Sequence, residues 1–195
     1  MLAALILAAG ESRRMGSPKA LLPYQDKTFV EHLLEVTRHP RVSVQRVVLG
    51  ASAAAIRERL HLAEGSVVVN DQWELGQLSS IQAGIRSLED EPTDGAMICP
   101  VDHPLVSAPL VAMLIDEFDR TGAQRGIVLP VYRGKRGHPV IFARRFYDQL
   151  LAAPNDKGAR AIVWQNPSEI REIETSEEGV VLNINDPDAY RKAVL

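Results

Sequence analysis

Cys99 is the only cysteine in the chain, so no internal disulfide can form, and a reducing cytoplasm is the compartment expected. No stretch approaches the roughly 18 consecutive apolar residues of a membrane-spanning helix. The apolar start MLAALILAA lacks the basic n-region of a secretory signal, which leaves it to serve as a core strand. Positive charge is not in excess either, since 22 Lys and Arg stand against 25 Asp and Glu, for a net charge of -3. That balance excludes a nucleic-acid partner held by a general electrostatic field, so any phosphate has to be bound locally. No repeat, low-complexity segment or long Pro/Gly/Ser linker divides the 195 residues, which are expected to form one domain stable without disulfides.

The chain is organised around the stretch Ala4 to Tyr24. Ala4 to Ala8 is a short continuous apolar run ending before Gly10, as in a strand buried on both faces of a parallel sheet, although the run alone does not exclude a buried helix. The loop that follows holds Gly10 and Gly16, small side chains at Ala8 and Ala9, and the cations Arg13, Arg14 and Lys19. Glycine lets backbone N–H groups turn toward a bound anion, and the cations can neutralise a polyphosphate. The loop is neither of the two commonest nucleotide motifs. Five residues separate Gly10 from Gly16 and no hydroxyl follows Lys19, which departs from G-x-x-x-x-G-K-[ST], and Glu11 to Gly16 does not supply G-x-G-x-x-G.

Downstream the apolar periodicity alternates. Thr28 and Glu31 form a capping box before a helix, Arg46 to Leu49 reads as a strand, Ser52 starts a helix with Ile56 and Leu60 on one side, and Val67 to Val69 reads as a third strand. This pattern predicts an α/β fold with a mostly parallel sheet and helices on both faces. Asn70 to Gln77 reads as a polar loop, and Ser79 or Ser80 as the cap of a helix whose start faces that loop, a place that favours acceptor atoms. Gly95 to Cys99 is a strand ending in Pro100, Val101, Asp102, His103 and Pro104. A carboxylate there lies beyond a strand's carboxyl end and suits a divalent cation bridging to phosphate, or else a turn before Pro104.

Ser107 and Pro109 start a helix through Phe118. Ile127 to Val131 and Pro139 to Phe142 read as a hairpin joined by YRGKRGH, in which Arg133, Lys135 and Arg136 form a basic cluster suited to a second substrate's phosphate or to solvent. His138, between Gly137 and Pro139, reads as a structural hydrogen-bonding residue or as a catalyst. Arg145 to Leu151 and Gly158 to Trp164 read as helices, Ile170 to Glu174 and Val180 to Ile184 as late strands, and Asp186 with Pro187 as the start of a last helix.

The motifs together resemble the MobA-like nucleotidyltransferase family. Leu7, Ala8, Ala9, Gly10, Ser12, Arg14, Met15, Gly16 and Lys19 match its signature L-A-A-G-x-S-x-R-M-G-x-x-K. Val101 to Pro104 resembles its D-x-P metal turn. Gly137 to Phe142, Asn155 to Arg160 and the carboxyl-terminal NINDPDAY resemble the branch of molybdenum cofactor cytidylyltransferases, with Asn155 where glycine is usual and Asn183 and Asn185 where aspartates are common. The resemblance implies a three-layer Rossmann-like nucleotidyltransferase fold. It also implies transfer of CMP from CTP to molybdopterin with release of pyrophosphate.

Carried over by position, Leu7 to Gly10 with Ser12 and Gly16 would receive the nucleotide, and Arg14 and Lys19 its phosphates. Gly76, Ser79 and Ser80, in the stretch Gly76 to Ser80, would help to read the base or approach the pterin, and Asp102 and Asn185 would hold Mg²⁺. His138, Arg136 and Arg160 would meet the acceptor. A molybdoenzyme or its chaperone is the partner implied. The alternatives are a GTP-dependent guanylyltransferase, a sugar-1-phosphate nucleotidyltransferase, and a non-catalytic cofactor-binding maturation factor.

Overall fold

The computed structural model describes residues 1–63 and 65–194. Strand β1 (Leu2–Ala8) is buried along its whole length. A small ribbon of β2 (Pro23–Tyr24) and β3 (Lys27–Thr28) leads into α1 (Phe29–Val36). The capping box forms there. Thr28 Oγ1 accepts from the Glu31 N–H at 3.3 Å, and the Glu31 carboxylate accepts from the Thr28 N–H at 2.8 Å. Next come β4 (Val42–Leu49), α2 (Ala53–Leu60), β5 (Val67–Val69), α3 (Gln77–Arg86) and β6 (Gly95–Pro100). Helix α4 (Ala108–Thr121) is capped by the Ser107 hydroxyl, which accepts from the Leu110 N–H at 3.2 Å. The remainder is β7 (Ile127–Tyr132), β8 (Lys135–Arg136), β9 (Val140–Ala143), α5 (Tyr147–Ala152), α6 (Arg160–Gln165), β10 (Ile170–Glu174) and α7 (Pro187–Val194).

The main sheet runs β10-β7-β9-β6-β1-β4-β5, with β8 paired to β7. Strands β1, β4, β5 and β6 are mutually parallel, as are β7 and β10, and among the described strands only β8 and β9 reverse direction within this sheet. Helices α1 and α4 touch each other, as do α3 and α5, and the two pairs lie on opposite faces. Buried Gln82 of α3 donates to the carbonyls of Leu150 and Ala153, at 3.1 and 3.0 Å, and so locks α5 to α3. No described helix is long and apolar enough to cross a membrane.

Several local expectations are corrected. The basic turn closes β7 onto the two-residue β8, while β9 pairs with the start of β7, Ile127 opposite Phe142, and is inserted beside β6. Val180 to Ile184 is not a strand, because its polar backbone atoms are committed crosswise. The Val180 carbonyl accepts from the His138 N–H and the Ile184 N–H donates to the Asp102 carbonyl, each at 2.8 Å. Helix α3 begins at Gln77 with Gly76 in the capping position, so Ser79 and Ser80 sit inside its first turn rather than capping it. Ser52 precedes α2 without a side-chain cap bond, whereas Asp186 does cap the last helix, its carboxylate accepting from the Ala189 N–H at 2.9 Å.

Candidate active site

Parallel strands send their carboxyl ends to one edge of the sheet, and ligands of open α/β sheets bind there. The loops after β1, β4, β5 and β6 emerge at that edge, joined by backbone bonds from Val101 N–H to Leu7 O at 3.0 Å, Ala51 N–H to Ala9 O at 3.1 Å and Asn70 N–H to Leu49 O at 2.8 Å. Because β9 runs the other way, its beginning reaches the same edge, with Val140 opposite Ile98. That reversal brings His138 toward Asp102.

The glycine loop has a defined shape. Ser12 adopts φ 56°, and its hydroxyl accepts from the Lys19 backbone N–H at 3.0 Å, folding the loop back on itself. Gly50 is the close approach that closes the floor. A Cβ there would lie 2.6 Å from the Ala9 carbonyl oxygen and 2.7 Å from Trp73 Cβ. Leu7, Ala8, Ala9, Gly10, Ser12, Lys19, Trp73, Gly76, Ser80 and Asp102 thereby share the wall of a cavity of about 210 Å³.

Lys19 is the electrostatic centre of that wall. Its Nζ donates to Asn185 Oδ1 at 2.6 Å and lies 3.9 Å from Asp102 Oδ2. Burial holds the ammonium below its ordinary value, against the pull of Asp102 and with the push of Arg14. Asp102 and Asn185 supply only hard oxygen donors, one carboxylate and one carboxamide, which is chemistry that fits Mg²⁺ when phosphate and water complete the shell. The described residues contain no group of three or more His, Cys, Asp or Glu able to hold a metal by themselves.

A second cavity of about 670 Å³ adjoins the first, and Gln77 lines both. Its wall holds all three acceptor candidates, His138, Arg136 and Arg160, together with Lys135, Lys157 and Trp164. The His138 ring packs on that of His103, with centroids 4.7 Å apart, and neither Nδ1 has a hydrogen-bond partner. Burial keeps both imidazoles neutral. His138 is pushed down to about 3, with His103 and Arg160 adding to the effect, while the Asp102 carboxylate partly opposes the shift at His103.

Most of the residues read from the sequence meet, and a few stand apart. Arg14 and Gly16 are exposed on the loop outside the cavity wall, although Arg14 is near enough to act on Lys19. Ser79 is buried behind the wall, where its hydroxyl donates to the Gly76 carbonyl at 2.8 Å. Arg136 is ion-paired with Glu172 at 2.7 Å, so its charge is already engaged.

Four residues absent from the sequence-based list belong to the site. Asn70 is buried and donates to both the Ser79 and Ser80 hydroxyls, at 2.9 and 3.0 Å, while its Oδ1 accepts from the Gln72 N–H at 3.0 Å. It therefore pins the loop that carries Trp73 and Gly76. Trp73 and Trp164 line one cavity each, and Gln77 joins them. A lone polar residue at a strand end, Asn70 after Val67 to Val69, is the signal that could have pointed to it.

Residues 4–170 match the MobA-like NTP transferase domain. The chain is 31% identical over 180 residues to the nicotine blue oxidoreductase of Paenarthrobacter nicotinovorans, covering 89% of this chain and 87% of that protein. It is 31% identical over 181 residues to a probable molybdenum cofactor guanylyltransferase of Bacillus cytotoxicus, covering 83% and 85%. To the molybdenum cofactor cytidylyltransferase of Escherichia coli it is 25% identical over 191 residues, covering 95% and 92%. The crystal structure of Rv0371c from Mycobacterium tuberculosis superposes with a TM-score of 0.82 at 29% identity, over 99% of this chain and 96% of that one. A manganese complex of Rv0371c superposes at 0.76 and 27% identity, over 99% and 97%.

Proposed function

The chain belongs to the MobA-like NTP transferase family, and from that premise we propose that it transfers CMP from CTP to molybdopterin with release of pyrophosphate. One observation carries the reading: a cavity walled by the glycine loop, Lys19 and Asp102 abuts a larger cationic cavity, with Gln77 common to both. Transfer between two substrates requires such adjacency, because reacting atoms must be held within about 3–3.5 Å.

In the proposed reaction a terminal phosphate oxygen of molybdopterin attacks the α-phosphorus of the nucleotide in line, and pyrophosphate leaves with the electrons of the broken P–O bond. The attacking phosphate is already anionic at neutral pH, so no protein base is needed. Lys19 releases Asn185 to meet the nucleotide phosphates, and Arg14 approaches from the exposed loop. Asp102 and Asn185 would hold Mg²⁺, which neutralises phosphate charge when bound. The manganese complex of the similar protein Rv0371c supports use of a divalent ion here. His138 and Arg160 receive the acceptor, and Arg136 would join them only on leaving Glu172.

CTP is favoured over GTP by Leu7-Ala8-Ala9-Gly10 and by Gly137 to Phe142, while a relative named guanylyltransferase keeps GTP as the second reading. A relative named an oxidoreductase leaves a redox activity as a further reading, in which the buried Cys99 would not serve as an exposed thiol. With CTP labelled at the α-phosphorus, the account expects label in a cytosine dinucleotide product. Label that stays entirely in CTP, or in free CMP, contradicts it.

A further inference from the structure

Trp164 is 66% exposed, more than any other large apolar side chain among the described residues, yet it lines a concave wall. It sits on α6, four residues after Arg160, so both side chains rise from one face of the same short helix. The Arg160 guanidinium lies 5.7 Å from the Trp164 ring centroid, in the range of a cation–π contact. The wall includes the apolar Leu78, Ile81 and Phe142, and it carries Lys135 and Lys157 as well, with Asp156 the one acidic side chain among the lining residues. An open indole in a wall of apolar and mostly cationic side chains is complementary to a planar ring that bears an anion.

We propose that Trp164 is a positioning residue for the acceptor: its indole stacks the flat pyrimidinone ring of the acceptor's pterin while Arg160 turns from the indole to the acceptor's anionic group. This assignment rests on the second cavity being the acceptor site. Nothing in the transfer chemistry passes through Trp164. Its work is to orient the acceptor so that its phosphate points past Gln77 into the nucleotide cavity. The exposed indole offers a stacking surface, and Arg160 covers one side of it.

The chain contains two tryptophans, Trp73 in the nucleotide cavity and Trp164 in the acceptor cavity, so each site has its own fluorescent reporter. The test titrates pterin-6-carboxylate, a planar ring with one anion, into the Trp73→Phe variant, with inorganic phosphate as the control. Calorimetry follows the same probe on the wild type and on Trp164→Ala, Trp164→Phe and Arg160→Ala. The proposal expects saturable quenching of Trp164 by the pterin and none by phosphate. It expects affinity at least tenfold weaker in Trp164→Ala and Arg160→Ala, and largely kept in Trp164→Phe, which retains a ring. Equal affinity of Trp164→Ala and the wild type overturns the role of Trp164 while leaving the acceptor cavity in place. Absence of pterin binding to the wild type overturns both, and a CTP-dependent change at Trp73 in Trp164→Phe tests the nucleotide cavity separately.

Discussion

The ammonium of Lys19 donates to the carboxamide oxygen of Asn185 at 2.6 Å, across a sequence separation of 166 residues, with the Asp102 carboxylate 3.9 Å from the same nitrogen. The first and last motifs of the chain therefore close on one point, and both partners of Lys19 are groups that would hold a divalent cation. Lys19→Ala and Asp102→Ala are each expected to lower turnover at least about a hundredfold, the scale of a lost charge-stabilising contact. Urea midpoints should change little, since both side chains act at a cavity wall. Near-normal steady-state turnover in both variants would remove the assignment.

Asn70 anchors the loop over the cavity walled by Lys19 and Asp102, through its bonds to Ser79, Ser80 and the Gln72 N–H. Removing a buried hydrogen-bonding group costs about 1–3 kcal/mol. Asn70→Ala is expected to lose stability on that scale and to raise the KM for nucleotide about tenfold through a misplaced Gly76 and Ser80, with a smaller change in kcat, since Asn70 touches no reacting group. An unchanged KM in initial-rate measurements would show that the loop does not need this anchor.

Gly137 is packed where β9 meets the carboxyl-terminal segment, and a Cβ on it would lie 2.4 Å from the Val180 carbonyl oxygen. The same carbonyl accepts from the His138 N–H, so the clash would pry apart the contact that orients His138. Gly137→Ala is expected to cost about 1–3 kcal/mol, the usual range for overpacking, and to weaken acceptor binding more than nucleotide binding. Chemical denaturation and separate KM values check the two halves of the prediction.

His138 gives stability a pH dependence of definite sign. In the unfolded chain it takes up a proton near pH 6.5, and in the folded protein burial, with His103 and Arg160 beside it, pushes that to about 3. Between those values the unfolded state binds more protons, so the stabilisation present above pH 6.5 is lost progressively as pH falls toward 3. Replacing His138 with Gln should flatten the loss of urea midpoint between pH 7 and pH 5 relative to the wild type. Parallel curves for the two proteins would mean that His138 is not held neutral.

The continuous apolar runs of β1, β4 and β6 made the parallel core legible, because strands buried on both faces need no alternation. Lys19 and Asp102 were legible too, one as the cation of a glycine loop and the other as the carboxylate at a strand end. What escaped depended on contacts remote in sequence. Val180 to Ile184 has strand-like composition, but its backbone is claimed by His138 and Asp102, which no local pattern reveals. Serine favours caps, yet Gly76 takes that position and Asn70 occupies the Ser79 and Ser80 hydroxyls instead. Trp73 is near the nucleotide cavity only because Gly50 leaves room for it, and Gln77 matters only because two cavities meet at its side chain.

The most direct test of nucleotidyl transfer is pyrophosphate release with molybdopterin and Mg²⁺, run in parallel with CTP, GTP, ATP and UTP. The account predicts release that requires the acceptor and occurs with CTP. Release with GTP alone would keep the chemistry and reverse the base. Saturable binding of CTP at the Trp73 cavity with no pyrophosphate from any of the four would contradict the transferase and leave a protein that binds nucleotide without transferring it.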